Sequence, residues 1–166
     1  MQKVFGIAGF KNSGKTTLIV DLLEIFVRKG LRVATLKHAH HEFDIDHPGK
    51  DSYKHRKAGA SEIMVVSANR WAHIREFADI KEPSFDEALA QIGKVDLVLV
   101  EGWKYGSHPR LELRRGTLDA PPIAEQDPRI KAIVCDAGLP DAVVTVLLRD
   151  DIDSIAEFIL HELDIN

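Results

Sequence analysis

Apolar and polar positions along this chain fall into blocks of two different periods. Val4, Phe5, Ile7 and Ala8 form a short run of strand type, and after a glycine-rich turn Leu18, Ile19, Leu22, Leu23 and Phe26 recur at helical spacing. Arg28 and Lys29 in the last turn, followed by Gly30, close that helix. Residues 31–37 read as a second strand, 52–58 as a short helix, and 61–68 as a third strand with 71–77 as its hairpin mate. A helix over 84–92 leads into 95–100, the most continuous apolar run of the chain, which reads as a central parallel strand ending in Glu101. Residues 110–115 alternate polar and apolar like a half-buried or edge strand, and Pro121, Pro122 and Pro128 then interrupt regular structure. Strands over 130–135 and 143–148 follow. The last helix carries Ile152, Ile155, Ala156, Ile159, Leu160 and Leu163 on one face, behind an acidic start at Asp150 and Asp151. This succession predicts an α/β fold, a mostly parallel twisted sheet flanked by helices, in a single domain over 1–166. Residues 103–129 are its candidate β-ribbon or interface arm, set against the alternative of a loop packed on its own domain.

The turn after the first strand reads GFKNSGKT at 9–16, a complete phosphate-binding loop in the strand-to-helix context that such a loop requires, so the expected fold is that of a P-loop NTPase. Gly9 and Gly14 permit backbone angles and close approaches that a side chain would block. The amides from Lys11 through Asn12, Ser13, Gly14 and Lys15 to Thr16 can then converge on a phosphate, helped by the positive end of the following helix. Lys15 is expected to reach the β- and γ-phosphates, Thr16 to ligate Mg²⁺ through its hydroxyl, and Thr17 to lie near the α-phosphate. In doubly wound sheets ligands collect at the carboxyl ends of strands. Glu101 stands at such an end, whereas Asp96 lies about 16 Å away at strand rise. Glu101 is therefore the expected acidic partner of Mg²⁺, and Asp96 the cap of the strand entry.

Two connections are long and polar. The first leaves the second strand at Lys37, faces the nucleotide, and carries four of the eight histidines, His38, His40, His41 and His47, with Asp44 and Asp46. These side chains could ligate Zn²⁺ or Ni²⁺, although no cysteine accompanies them. A segment that senses the γ-phosphate and Mg²⁺ through Asp44 or Asp46 is the favoured reading, which makes Asp46 a metal candidate beside Thr16 and Glu101. In the second connection, Arg110, Arg114 and Arg115 could complete an interface or bind a phosphorylated ligand.

Composition narrows the class. A formal net charge of −4 argues against a nucleic-acid binder. The single cysteine, Cys135, excludes an intrachain disulfide framework and suits a reducing cytoplasm. No apolar run reaches transmembrane length, and no signal-peptide pattern is present, so a cytoplasmic protein without a membrane partner is expected.

The stretches GFKNSGKTTL at 9–18, LKHAHHEFDIDHPGKDSYKHRKAGA at 36–60, VVSANRW at 65–71 and DLVLVEGWK at 96–104 together resemble the molybdopterin-guanine dinucleotide biosynthesis adaptor family, the MobB family. The resemblance is dense over the first hundred or so residues and rests most specifically on FDIDHPGKDSY. It implies GTP binding with Mg²⁺, a homodimer, and partnership with the guanylyltransferase that joins GMP to molybdopterin, molybdopterin itself being a further candidate ligand; with no Gln next to the acidic strand end, weak GTPase activity at most is expected. The chain departs from related partition and metal-insertion ATPases in having Phe10 where they carry a signature lysine; Lys11 is one place late. It also lacks the Asn-Lys-x-Asp guanine reader of small GTPases. Asp136, after the strand over 130–135, could accept the guanine N1 and N2 donors instead, or could simply form the turn before Ala137 and Gly138. A P-loop small-molecule kinase and a metallochaperone GTPase using the histidine loop are the alternative functions.

Overall fold

A computed structural model describes residues 2–39, 43–77, 81–116 and 121–165. In chain order the elements are β1 (Val4–Ala8), α1 (Lys15–Arg28), β2 (Val33–Lys37), α2 (Asp51–Lys57), β3 (Glu62–Val66), β4 (Trp71–Arg75), α3 (Phe85–Ala90), β5 (Leu97–Glu101), β6 (Arg110–Leu113), β7 (Ile130–Cys135), β8 (Thr145–Leu148) and α4 (Ile152–Glu162), with a 3₁₀ turn at Ile123–Glu125 before β7. The described residues fall into two compact units, one within 1–38 and 85–166, the other within 39–84.

The first unit is a six-stranded sheet in the order β2-β5-β1-β6-β7-β8. Every neighbouring pair in it is parallel. β1 lies between β5 and β6, with Ile7 opposite both Glu101 and Leu111, so the carboxyl ends of these three strands finish side by side. Alternation along each strand sends Phe5, Ile7, Leu97, Leu99, Leu111, Leu113, Ala132 and Val134 into one core cluster. The same cluster holds Leu18, Ile19, Leu22, Ile25 and Phe26 of α1 and Ile155, Ala156, Ile159 and Leu160 of α4. Each buried Leu, Ile or Phe of that layer contributes about 1.5 to 3 kcal/mol, which fixes the direction of α1 as it leaves β1.

The other alternate positions explain a correction. The polar-apolar alternation of 110–115 suggested an edge strand or projecting ribbon, but β6 is an inner strand between β1 and β7. Arg110 is 4% exposed and Glu112 fully buried because each charge is compensated. Glu112 accepts from Arg114 Nη1 at 2.9 Å and from the Ala124 amide at 3.0 Å. Alternation therefore marks two buried faces, one apolar and one ion-paired, rather than one wet face. The ribbon of this chain is β3 with β4, an antiparallel pair in the second unit with Ile63 opposite Ile74 and Val66 opposite Trp71.

In that second unit Arg56 of α2 gathers three carboxylates, donating to Asp44 at 2.6 Å and Glu76 at 3.3 Å and lying 3.6 Å from Asp46.

Removing Glu112 is expected to be costly, since it takes a buried partner from Arg114 and the acceptor from the Ala124 amide. Glu112→Ala should lower stability by about 3 kcal/mol, read as a shift of the urea midpoint at unchanged slope. A shift worth less than about 0.5 kcal/mol, the size of an ordinary surface change, would show that the pair is not what holds β6 inside.

Candidate nucleotide-binding site

β1 ends at Ala8, and the chain must turn sharply before α1 begins at Lys15. Two glycines make this turn. Gly9 has φ 144°, and a Cβ on it would stand 2.5 Å from the Leu113 carbonyl oxygen at the end of β6. Gly14, with φ 93°, is the N-cap of α1 and supplies no side-chain cap. No acid lies in the first turn of that helix. Its first amides and its positive end are thus left to an external anion. Ser13 is buried within the loop, while Lys11, Asn12, Thr16 and Thr17 are exposed along it.

The charged residues follow from this frame. Lys15 folds back over the loop and donates to the carbonyls of Gly9 at 3.0 Å and Phe10 at 2.7 Å. Burial lowers its pKa below the ordinary lysine value, with Glu101 acting in the opposite sense and Lys37 adding to the lowering. Thr16 Oγ1 donates to Glu101 Oε1 at 3.3 Å, and Lys37 Nζ lies 3.4 Å from Glu101 Oε2. The structure therefore brings Lys15, Thr16, Lys37 and Glu101 together at the carboxyl ends of β1, β2 and β5. The hydroxyl and carboxylate oxygens fit Mg²⁺, a hard cation whose neighbouring octahedral oxygens stand about 3.0 Å apart and which completes its shell with water and phosphate oxygens. Asp96 sits at the opposite end of β5 and accepts from the Arg32 amide at 2.8 Å, so it caps the strand entry as expected.

Asp46, the remaining metal candidate, belongs to the second unit. There its Oδ1 accepts from Ser52 Oγ at 2.9 Å and from the His47 amide at 3.0 Å, in the manner of a helix-entry carboxylate. His40 and His41 lie outside the described residues. Among the described residues no group of three or more His, Cys, Asp or Glu side chains is placed to hold a metal ion.

Asp136 follows β7. One of its oxygens accepts from the Gly116 amide at 2.8 Å, and the other lies 2.8 Å from Arg149 Nε. Arg149 was not legible as a site residue from the sequence, where Asp150 and Asp151 drew attention to the helix start. The available signal was its place at the carboxyl end of a parallel strand. It donates through Nη2 to the Ser13 carbonyl.

The loop after Glu101 is held from below. Arg110 donates to the carbonyls of Trp103, Lys104 and Gly106, and Arg129 donates to Gly106 and Lys104. This corrects the reading of Arg110 as a phosphate ligand: it is buried, and both its Nη groups donate to main-chain oxygens. Arg114 is likewise taken by Glu112. His108 stacks on Phe85 with ring centroids 4.6 Å apart, and its pKa is lowered to about 4, chiefly by burial and then by Arg110 and Arg129.

That shift sets a pH dependence. The unfolded chain protonates His108 near pH 6.5 and the folded one only near pH 4, so below 6.5 the unfolded state holds more protons and stability falls on acidification. Urea midpoints should drop between pH 6.5 and about 4, and His108→Phe should remove part of that drop. Equal pH slopes for both proteins would show that His108 carries no such linkage.

Known proteins resemble this chain in sequence and in fold. The family model for molybdopterin guanine dinucleotide synthesis protein B matches residues 4–136. A molybdopterin-guanine dinucleotide biosynthesis adapter protein of Escherichia coli strain K12 is 34% identical over 164 residues, spanning 97% of this chain and 93% of that protein. One from Haemophilus influenzae is 35% identical over 158 residues, spanning 94% of this chain and 86% of that protein. A crystal structure of molybdopterin-guanine biosynthesis protein B has a TM-score of 0.73 at 29% identity, covering 96% of this chain and 99% of that one. A crystal structure of Bacillus subtilis MobB gives 0.75 at 25% identity, covering 97% and 98%. With its P-loop NTPase fold and these similarities over nearly its whole length, the chain belongs to the molybdopterin guanine dinucleotide synthesis protein B (MobB) family.

Proposed function

We propose that this chain is a GTP-binding adapter in molybdopterin-guanine dinucleotide biosynthesis, acting with the guanylyltransferase that joins GMP to molybdopterin. The observation that carries the reading is the contact of Thr16 with Glu101, 3.3 Å, at the foot of an uncapped helix. It joins a phosphate cradle to a hard-cation ligand, the pair that a nucleoside triphosphate with Mg²⁺ requires. The relatives' name supplies the pathway, and Asp136 on the base side supplies an acceptor for guanine donors.

The residues have separate tasks. The loop amides and the helix end hold the β-phosphate oxygens, and Lys15 leaves its two carbonyls for the β- and γ-phosphates. Thr16 and Glu101 hold Mg²⁺, which when bound neutralises phosphate charge. Lys37 pairs with Glu101 and orients its carboxylate. Hydrolysis is slow, because rapid phosphoryl transfer needs a positioned water and a cation free to meet the developing charge. Arg110 and Arg114 are buried and committed elsewhere. A homodimer is supported by the exposed apolar pair Val66 and Trp71 across the hairpin.

Calorimetric titration with GTP and Mg²⁺ tests the reading. Lys15→Ala should weaken binding by about 2 to 3 kcal/mol, or roughly 30- to 150-fold, without loss of fold, since its ammonium supports no core. Glu101→Gln should reduce the Mg²⁺ dependence of binding far more than Asp96→Asn, which lies at the far end of the same strand. Unchanged affinity in the first variant, or equal responses in the second pair, overturns the site assignment. Failure of the guanylyltransferase to co-purify in the presence of GTP and Mg²⁺ overturns the adapter role.

A further inference from the structure

Arg149 occupies an unusual position. It stands one residue beyond β8, its amide donates to the Cys135 carbonyl at the end of β7, and its side chain is only 22% exposed. The guanidinium reaches the phosphate loop, where Nη2 donates to the Ser13 carbonyl. It lies flat enough against Gly14 that a Cβ there would stand 2.8 Å from Nη1. On its other side Nε is 2.8 Å from Asp136 Oδ1. One planar cation thus ties together the loop after β1 and the strand ends of β7 and β8.

A stabilising role alone explains this poorly. Asp136 is 43% exposed, and an ion pair with so wet a partner contributes little to stability. What the fork does achieve is geometric. Ser13 is buried inside the phosphate loop, and Asp136, at the end of β7, stands on the other side of β1 from Glu101, the side to which the guanine-nucleotide reading assigns the base. Arg149 is hydrogen-bonded to the first and ion-paired with the second.

We propose that Arg149 is a positioning residue that couples base recognition to the phosphate loop. It holds the Asp136 carboxylate in register with Ser13, so that a guanine whose phosphates fill the loop finds its acceptor in place. Without the fork, loop and carboxylate move independently and the donors of guanine gain less over other bases. The inference rests on the guanine-nucleotide reading of this site. A lysine cannot substitute, because one ammonium cannot span both oxygens as a planar fork does.

The test measures affinities of the full chain for GTP, ITP, ATP and inorganic tripolyphosphate, with Mg²⁺. Tripolyphosphate has no base and reports the loop alone. ITP lacks the N2 amino group, and ATP presents an acceptor at N1. Arg149→Ala should shrink the GTP-to-ITP and GTP-to-ATP ratios by about tenfold, within the coupling range of residues in direct contact. Arg149→Lys should not restore them. Asp136→Asn should shrink the same ratios with tripolyphosphate binding retained, and the double variant should lose no more preference than either single one. Thermal melting confirms that each variant is folded. Uniform weakening of all four ligands by Arg149→Ala, or unchanged ratios, overturns the coupling while leaving the nucleotide reading intact. A native chain that does not prefer GTP overturns that reading and this inference together.

Discussion

A helix that begins directly behind a buried strand, with no side chain to cap it, is the constraint on which the rest of this molecule depends. The first amides of α1 cannot bond within the helix, and Gly14 supplies neither a hydroxyl nor a carboxylate to take them. Such an end persists only if tertiary packing fixes the helix. The cluster of Leu18, Ile19, Leu22, Ile25 and Phe26 against the sheet and α4 does so. The price appears in the glycines: Gly9 must pass close to the Leu113 carbonyl, and no residue with a Cβ fits there. The surrounding cations respond to the same geometry. Lys15 takes loop carbonyls, Lys37 takes Glu101, and Arg149 takes Ser13, so each of these three already has an oxygen partner.

Local signals carried most of the fold into view. The helical period from Leu18 to Phe26, the unbroken apolar run before Glu101 and the amphipathic last helix are each dictated by burial on one or two faces, and burial is what hydrophobic pattern records. The phosphate loop was equally visible, because its glycines are needed for backbone reasons and its lysine for a charge that few other residues supply. Glu101 and Asp96 were separable by strand rise alone, and the structure puts them at opposite ends of β5.

What escaped is non-local. β6 was misread because Arg110 and Glu112 resemble solvent-facing residues; Arg110 faces Asp127, and Glu112 takes the Ala124 amide as well as Arg114 two residues on. A single residue pattern cannot report that a charge is paired across a turn. Arg149 escaped for a related reason, since its contact with Ser13 spans 136 positions and depends on the β1-β6-β7-β8 order, which no local period encodes. Asp136, read as either a base acceptor or a turn former, takes the amide of Gly116, twenty positions away, and faces a cation.

The buried polar face has a consequence for the site itself. Arg110 points its fork at three carbonyls of the loop that follows Glu101, and Arg129 reaches two of the same oxygens from β7's approach. Two guanidiniums this close repel, and Asp127 sits between them, 2.6 Å from Arg129 and 3.8 Å from Arg110. His108 beside them stays neutral at ordinary pH, because a third positive charge there would be both desolvated and repelled. The chain leaving Glu101 is thereby fixed from beneath by groups that do not titrate near neutrality. On the opposite side the cations facing the loop are held by single or paired contacts that an anion can exchange. The rigid floor and the exchangeable cations are complementary: the first keeps the Glu101 carboxylate where Thr16 can meet it, and the second lets Lys15 trade carbonyl oxygens for phosphate oxygens without rebuilding the strand ends.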